Sequence, residues 1–485
     1  MFGFAPDSEA GRTFYRVFSS NWVKMGAPVQ TEHDPHSGET MADKHRIVIL
    51  GGGFGGMYAA QALKNAPVEV TLVDKRNFHL FQPLLYQVAT GSLSPGEISA
   101  PIRSVLSKQK NTSVLLGEAV DVDPVAKKVI LRDGAELFYD SLITATGSQG
   151  TYFGNDQWRE WAPGLKTIED ATAIRHKLLF AFEAAERVHD NVNERRAWLT
   201  FVIVGAGATG VELAGALGEI ANETLKHDFR FIRPEEAQII VVDGSDRVLP
   251  VYSADLSVKA EKALHKLGVR VRNNVHVNSV DAKGVGFEID QNGIKSQGHI
   301  DARTVIWAAG VAVTQFTRTL AQRTSAETDR QGRIKVNPDL TIPNYPDIFV
   351  AGDMGLSLDK DGKPLPGVAQ VAMQEGSYAA KAILRRLKNG GNLKPFSYFN
   401  KGDLAVIGRG SAVANVFGMH LSGLPAWLIW LFIHLMYIVE FQSRILVFIQ
   451  WGFLYLTSNR GARLITGHAA TDVVGGTEPM KTLTD

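Results

Sequence analysis

Two stretches of the chain show the same order of apolar and glycine-rich positions. In the first, a strand-like run at 46–50, apolar from residue 47, leads directly into the glycine-rich residues 51–56, and a helical pattern and a second apolar run at 68–73 follow. The same order recurs between residues 200 and 242. A buried strand, a tight turn, a helix and a second strand in this order predict a βαβ unit in each stretch.

The two units lie far enough apart to belong to separate domains. Their first glycines, Gly51 and Gly205, are 154 residues apart (205 − 51), which is about one domain length. A further segment, Asp347-Ile348-Phe349-Val350, leads into Ala-Gly-Asp, as expected for a buried strand that carries a carboxylate at its C-terminal edge. We therefore predict two dinucleotide-binding domains, with this late strand completing the sheet that begins at residue 46.

The spacing of glycines in both loops suits a bound dinucleotide. The first glycine permits a tight turn, the second lets the backbone approach a pyrophosphate, and the third lets the helix pack on the strand. Either loop alone could be a packing turn without a ligand, so the acidic residue at the end of the next strand matters. Asp74 lies 23 residues beyond Gly51, close to the usual spacing of about 20, and can accept hydrogen bonds from a ribose.

The second loop is the looser match. Asp243 lies 38 residues beyond Gly205, so residues 222–236 must lengthen the crossover. An acidic strand end favours the free 2′-hydroxyl of NADH over the 2′-phosphate of NADPH. Arg247 weakens this preference because it could reach a phosphate, although it could equally be a solvated loop charge.

Two apolar runs near the end of the chain predict a membrane-binding module. Only His434 interrupts the run at 425–439, and only Gln450 interrupts the run at 445–456. Because a spanning helix needs about 20 apolar residues, two helices lying on a bilayer surface are expected. The alternative is a hydrophobic core or dimerisation helix pair inside a soluble enzyme. Five aromatic residues are expected at the headgroup boundary and three arginines at anionic lipid: Trp427, Trp430, Tyr437, Trp451 and Tyr455, and Arg444, Arg460 and Arg463.

Composition removes several classes of function. The 485 residues include 51 Lys and Arg against 50 Asp and Glu, so the chain has no strong positive field for nucleic acid. The absence of cysteine excludes redox dithiols, cysteine-ligated zinc and iron–sulfur clusters, which leaves a bound organic cofactor to carry electrons. No metal site is predicted. Residues 1–42 lack the pattern of a secretory signal and are interpreted as an extension without assigned function.

From residue 45 to about 465 the chain resembles the type II NADH:quinone oxidoreductases, a family of flavoproteins with two dinucleotide-binding domains. The resemblance rests on the two glycine loops, on Ala145-Thr146-Gly147 and on Ala351-Gly352-Asp353. It implies non-covalent FAD in the first domain and NADH in the second. The residues expected to bind FAD are Gly51, Gly53, Gly56, Asp74 and Asp353, those expected to bind NADH are Gly205, Gly207, Gly210 and Asp243, and further cofactor contacts are expected from Phe54, Thr146, Gly147, Gly310 and Gly352.

The motif Ala369-Gln370-Val371-Ala372-Met373-Gln374 resembles the element that lines the quinone site in this family. Gln370 and Gln374 are spaced i, i+4 and share a helix face, so their amides could donate to quinone carbonyls. The alternative is a helix start with polar surface residues. Glu212 matches a family glutamate near the junction of nicotinamide and flavin, where it orients groups or relays protons, unless it only binds the backbone. Lys401 matches a family lysine that stabilises charge near flavin or quinone, unless it is an ordinary surface lysine.

Together these features predict an α/β protein with two Rossmann-like domains and a C-terminal amphipathic helical membrane-anchoring module. The predicted segments are 1–42 (extension), 43–165 and 316–394 (FAD domain, the latter with the quinone element), 166–315 (NADH domain) and 395–485 (membrane module). The expected reaction is non-proton-pumping oxidation of NADH with two-electron reduction of a membrane quinone. A soluble reductase with a protein acceptor and a nucleotide-sensing flavoprotein are the alternatives. The expected location is the cytoplasmic face of a bacterial plasma membrane, bound through residues 425–456, and a homodimer is left open.

Overall fold

Six strands form the first sheet of the computed structural model, which describes residues 44–466 except 292, 293 and 392. All neighbours run parallel except the edge strand Thr341–Ile342. Tyr345–Val350 pairs with Ser141–Thr144, which confirms that the late strand completes the sheet begun at residue 46. The order across the sheet is Thr341–Ile342, Tyr345–Val350, Ser141–Thr144, His45–Leu50, Val68–Asp74 and Thr112–Leu116.

The second sheet is a four-stranded parallel sheet built from the second βαβ unit. Its strands are near-continuous apolar runs, as expected for a sheet covered on both faces, and the five residues of Thr200–Val204 are all buried. An antiparallel three-stranded sheet is inserted before its last strand. The order of the second sheet is Val269–Arg272, Gln238–Val242, Thr200–Val204 and Thr304–Trp307, and the inserted strands are Val275–Asp281, Gly284–Gln291 and Ile294–Asp301.

The described residues also form five smaller sheets. Two of them have three antiparallel strands and three have two strands. Their strands are Ala119–Asp123, Lys128–Leu131 and Glu136–Phe138; Asp403–Gly408, Ser411–Val416 and Met419–Gly423; Phe78–Leu80 with Ser99–Pro101; Ser148–Gly150 with Val311–Val313; and Ile334–Lys335 with Gly355–Leu356.

The helices cover the two sheets and form the C-terminal end. Their bounds are Phe54–Ala62, Leu85–Ala89, Ile102–Leu106, Ile168–Arg187, Val192–Trp198, Ala208–Glu219, Ala254–Lys266, Gln315–Thr324, Ala369–Asn389, Leu424–Tyr437 and Phe441–Thr457. The last two, called the C-terminal helices below, are the two separate helices that the apolar runs predicted. None of the helices in the described part of the chain is long and apolar enough to span a bilayer.

The C-terminal part packs on the second βαβ unit. The sheet that begins at Asp403 lies on the helix Ala208–Glu219, where a Cβ on Gly215 would stand only 1.7 Å from the Ile407 carbonyl oxygen. Trp430, Val447 and the core residues of the second sheet belong to one continuous hydrophobic cluster. The boundaries of the predicted segments remain a prediction, since the packing alone does not divide residues 45–466 into parts.

Candidate functional site

The first glycine loop is shaped to receive a pyrophosphate. Gly51 has a φ of +101°, and a Cβ there would lie 2.3 Å from the Ala145 carbonyl oxygen. A Cβ on Gly56 would lie 1.8 Å from the Gly51 carbonyl oxygen, so the helix can approach the end of the strand only because Gly56 lacks a side chain. Nothing lies within 4 Å of the Cβ position of Gly53, and the helix that begins at Phe54 has no acidic residue in its first turn. Because the first amides of a helix have no partners within it, the open position beside Gly53 leaves room for an anion at this helix start.

Asp74 is fixed at the same loop. Its Oδ2 atom accepts a hydrogen bond from the Gly52 amide at 2.5 Å, and its Oδ1 atom accepts one from the Arg76 amide at 2.7 Å. His79 supports the loop from behind, because its Nδ1 atom lies 2.8 Å from the Gly52 carbonyl oxygen and its ring meets Phe54 edge-on at 5.1 Å. Burial lowers the pKa of His79, so the ring is neutral and structural.

The second glycine loop repeats this geometry. Gly205 has a φ of +109°, and a Cβ on Gly210 would lie 1.9 Å from the Gly205 carbonyl oxygen. The space beside Gly207 is again open. Asp243 accepts from the Ala206 amide at 2.6 Å and from the Ser245 amide at 2.7 Å, as Asp74 does in the first loop. The prediction that both loops have a carboxylate at the next strand end is confirmed.

Arg247 does not face the second loop as a free cation. One guanidinium nitrogen donates to the Pro250 carbonyl oxygen at 3.1 Å, and another lies 3.4 Å from the Asp246 carboxylate. These contacts favour the interpretation of Arg247 as a loop charge.

A second group of predicted residues meets at the C-terminal edge of the first sheet. Thr146 shares a hydrogen bond with Thr314 at 3.1 Å, and Gly147 has a φ of +67°. Asp353 accepts from the Ser148 hydroxyl at 2.6 Å, and Gly352 has a φ of +78°. Ser148, Gly352 and Asp353 line a cleft of about 510 Å³, counting its open side. Gly310 follows a strand of the second sheet instead, with a φ of +72°.

Glu375 also lines this cleft and was missed by the sequence analysis. It is 1% exposed, and its Oε2 atom accepts from the Gly352 amide at 2.6 Å. Burial raises the pKa of Glu375 to about 7, against the opposing effect of its hydrogen bonds. The sequence could have indicated Glu375, because this carboxylate directly follows Gln374 in the same predicted helix. Adjacent helix positions point to different faces, so Glu375 lies away from the face that Gln370 and Gln374 share.

Gln370 and Gln374 do share a helix face, as predicted, and both reach the segment 399–402. The side-chain nitrogen of Gln370 donates to the Gly402 carbonyl oxygen at 2.9 Å, while its oxygen accepts from the Lys401 amide at 3.2 Å. Gln374 makes the equivalent pair with Phe399, both at 3.0 Å. The two amides thus hold this segment, and each side-chain nitrogen keeps one further hydrogen for another acceptor.

The glutamines, Lys401 and the first C-terminal helix meet in a second cleft of about 880 Å³, counting its open side. The Lys401 ammonium donates to the Tyr437 hydroxyl at 2.8 Å. Tyr58 and Met373 complete a lining that is partly aromatic and partly apolar. The sequence analysis singled out Tyr437 only as an interfacial residue, because nothing in the local pattern indicates its contact with Lys401.

Glu212 lies apart from both clefts, on the helix that follows the second glycine loop. Burial raises the pKa of Glu212 to about 8, and a hydrogen bond from the Val406 amide opposes the rise. The negative charge of an ionised Glu212 contributes to the raised pKa of two tyrosines, Tyr86 and Tyr252. A raised pKa keeps this carboxyl more protonated than an exposed glutamate, as a group that exchanges protons requires.

Burial in the C-terminal helices and just after them contradicts part of the predicted lipid contact. Arg460 is 3% exposed and donates to the Glu219 carboxylate at 2.7 Å, so its predicted contact with lipid is wrong. Trp430 and Trp451 are 2% and 7% exposed, and their predicted place at the headgroup boundary is also wrong. Both point inward because the two helices pack on the core through these rings. Of the other arginines, Arg463 pairs with Asp228, and Arg444 donates to the Ile438 carbonyl oxygen.

The outer faces of these helices are apolar and exposed. In the first helix the exposed residues recur every fourth position, which places them on one face. The side chains more than 40% exposed are Leu424, Leu428, Phe432 and Met436 in the first helix, and Phe441, Ile445, Leu446, Phe448, Ile449, Phe453, Tyr455 and Leu456 in the second. An exposed apolar surface of this extent marks an interaction site.

Known proteins with similar sequences and structures include flavoprotein oxidoreductases of one family. Residues 45–376 match the family model for pyridine nucleotide-disulphide oxidoreductases. The chain is 44% identical over 433 residues to a type II NADH:quinone oxidoreductase of Mycobacterium tuberculosis, covering 88% of this chain and 91% of that one. It is 30% identical to the Staphylococcus aureus enzyme of the same name, covering 79% and 92%. The structure of NDH2 from Plasmodium falciparum in complex with NADH has the same fold, with a TM-score of 0.77, 23% identity, and coverage of 86% and 99%.

Proposed function

The chain belongs to the type II NADH:quinone oxidoreductases, and we propose that it oxidises NADH and reduces a membrane quinone by two electrons without pumping protons. Bound FAD supplies the redox carrier that connects the two substrates. The residues of the chain bind and orient the participants, and exclude water from between them.

Each of the two glycine loops would bind one of the two dinucleotides. The first loop would hold the FAD pyrophosphate on the amides after Gly53, with Asp74 at the ribose and Asp353 at the same edge of the sheet, after the strand Tyr345–Val350. The second loop would hold NADH in the same way, with Asp243 at the adenosine ribose. A carboxylate at that position accepts hydrogen bonds from a free 2′-hydroxyl and repels a 2′-phosphate, which favours NADH over NADPH.

One observation carries the assignment of a quinone as acceptor. Gln370, Gln374 and Lys401 line one cleft together with Tyr437, which belongs to a helix whose outer face is apolar. A cleft shared by polar hydrogen-bond donors and a lipid-compatible helix suits a quinone, which has carbonyl oxygens and an apolar tail. Lys401 would stabilise negative charge on a quinone oxygen, and the second hydrogen of each glutamine nitrogen would orient the ring.

We infer that the outer faces of the C-terminal helices rest on the bilayer. The exposed side chains of the two helices form one large aliphatic and aromatic face, which suits contact with lipid. A membrane quinone is dissolved in the bilayer, so the enzyme must bind it from the lipid. A protein bound to one side of a bilayer provides no path for protons across it. For a bacterial cell, the supply of NADH places this surface on the cytoplasmic side of the plasma membrane.

Stopped-flow absorbance of the purified flavoprotein tests the proposed function. The protein is reduced anaerobically with NADH and then mixed with a soluble short-chain quinone. Rapid loss and rapid recovery of the flavin absorbance are expected. Loss without recovery would retain the NADH and FAD sites and replace quinone with another acceptor, such as a protein. A preparation that binds no flavin would overturn the proposal.

A further inference from the structure

The hydroxyl of Tyr437 accepts a hydrogen bond inside the cleft that Gln370 and Lys401 line. The Lys401 ammonium donates to this hydroxyl at 2.8 Å. Lys401 is itself held in place, because its backbone amide donates to the Gln370 side-chain oxygen at 3.2 Å. Tyr437 is the last residue of the helix Leu424–Tyr437, so its hydroxyl meets the glutamine element at the end of a helix whose outer face is apolar and exposed.

The chemistry of this pair determines which group keeps an available proton. A lysine ammonium can only donate, so the Tyr437 oxygen must be the acceptor in the bond between them. The hydroxyl hydrogen is then directed elsewhere, and no acceptor within the described residues takes it. Tyr437 thus presents an O–H donor to a molecule that occupies the cleft.

Two other tyrosines line the same cleft, and neither is placed in this way. The Tyr378 hydroxyl donates to the Lys394 carbonyl oxygen at 2.8 Å, so its proton is already bonded. Burial raises the pKa of Tyr58, which makes this hydroxyl a weaker acid, and no ammonium in the described part of the chain donates to it. Of the three hydroxyls, that of Tyr437 combines an unbonded proton with an adjacent cation.

The charges of the cleft favour loss of that proton. The described lining contains no carboxylate, and Lys381 adds a second positive charge to that of Lys401. A phenolate at Tyr437 would have the Lys401 ammonium at hydrogen-bond distance, and hydrogen bonds between charged groups are roughly twice as strong as neutral ones. A lysine ammonium has three hydrogens, so Lys401 can bind both this phenolate and a quinone oxygen.

We propose that Tyr437 is a catalytic residue that gives its hydroxyl proton to a quinone oxygen, with Lys401 stabilising the phenolate that remains. The inference rests on the proposed function, in which a quinone occupies this cleft. Reduction of a quinone to a quinol needs two electrons and two protons, and reduced FAD supplies both electrons with one hydrogen. The second proton comes from Tyr437: its O–H bond breaks, the bonding electrons stay on the phenolate, and a new O–H bond forms on the quinone. A proton from solvent then restores the hydroxyl.

Stopped-flow absorbance of the flavin-loaded full-length protein separates the two half-reactions. Tyr437→Phe keeps the ring and removes the proton donor. Flavin reduction by NADH should keep the wild-type rate, which also shows that the variant is folded. Reoxidation by a saturating short-chain quinone should be about 100-fold slower, at the lower end of the usual effect of a general acid. Tyr378→Phe is the matched control, since it removes a hydroxyl whose proton is already bonded, and any change should lie in the quinone concentration that gives half the maximal rate.

Binding is measured separately from turnover. Quenching of the flavin fluorescence by quinone, without NADH, gives the dissociation constant of the oxidised protein. Tyr437→Phe should weaken binding by less than about tenfold, the usual effect of one hydrogen bond. A loss of affinity that accounts for the whole loss of rate would overturn the inference, because Tyr437 would then only bind the quinone.

Rescue by an external acid distinguishes proton donation from a structural role. At constant pH and ionic strength, increasing phosphate should accelerate reoxidation of the Tyr437→Phe protein, because the phosphate monoanion replaces the missing donor, and should leave the wild type unchanged. Reoxidation of Tyr437→Phe at the wild-type rate, or slow reoxidation that phosphate does not restore, would overturn the inference. Failure of quinone to reoxidise the wild-type protein would instead reject the proposed function.

Discussion

The carbonyl oxygen of Gly55 lies 2.0 Å from the position that a Cβ on Gly376 would occupy. This contact joins the helix of the first glycine loop to the helix that carries Gln370 and Gln374, so the two proposed binding elements share one rigid seam. The backbones can meet so closely only because Gly376 has no side chain.

Substitution at this seam should separate the two helices. Gly376→Ala places a methyl group against backbone atoms that cannot move aside, and we expect a loss of about 1–3 kcal/mol of unfolding free energy together with weaker FAD retention. Thermal unfolding and the flavin-to-protein absorbance ratio measure both. Gly391→Ala is the control, since among the described residues no atom beyond its chain neighbours lies within 4 Å of its Cβ position. Equal stability of the two variants would show that the seam is looser than the structure indicates.

The buried ion pair of Arg460 and Glu219 should be costly to break. Arg460→Met leaves the Glu219 carboxylate without its partner, and we expect a loss of about 3–5 kcal/mol in urea denaturation. Arg463→Met removes the more exposed pair with Asp228, in which the side chains are 27% and 45% exposed, and should cost less than about 1 kcal/mol. Similar losses for both variants would contradict the difference in burial.

Stability should fall with rising pH because of Glu212. Burial raises the pKa of this carboxyl to about 8, above that of the unfolded chain, so its protonation stabilises the fold at low pH and this contribution is lost as the pH rises toward 8. Between pH 6 and 7.5 the wild type should lose roughly 1–1.4 kcal/mol per pH unit relative to Glu212→Gln. Parallel curves of unfolding free energy against pH for the two proteins would be incompatible with a raised pKa.

Selectivity for the nicotinamide cofactor should depend on Asp243. Asp243→Asn retains one oxygen acceptor and removes the charge, so we expect kcat/KM for NADH to fall about tenfold and the preference over NADPH to narrow. Steady-state kinetics with both cofactors check this. Because Asp74→Asn changes the other loop, that variant should lose FAD affinity while the ratio of the two kcat/KM values stays the same.

Membrane binding should be lost when charge is placed on the outer face of the first C-terminal helix. Leu428 and Phe432 are 52% and 62% exposed, so Leu428→Asp with Phe432→Asp should leave the fold intact and remove about 1.5–3 kcal/mol of apolar burial per residue. Flotation with vesicles of mixed zwitterionic and anionic lipid measures binding. Val125→Asp, at a position 84% exposed, serves as the control. Undiminished flotation of the double variant would place the lipid contact elsewhere.

Much of the cofactor site could be predicted from the sequence because it is local. Gly51, Gly53 and Gly56 lie within six residues, and Asp74 follows at the end of the next strand, so spacing alone brings them together. The same reasoning found Gln370 and Gln374 on one helix face. It did not find that both amides bind the segment 399–402, because a helix face does not reveal which distant loop will cover it.

The sequence by itself therefore determined the two βαβ units, their carboxylates and the apolar character of the C-terminal helices. Only the tertiary structure decided which sides of those helices face the core. Arg460 and Trp451 looked like lipid-facing residues, yet they bind Glu219 and Gln87, which are 241 and 364 residues away along the chain. Periodicity reports that a residue is apolar or charged, but its partner is fixed by long-range packing, in which a buried donor must find an acceptor wherever the fold supplies one.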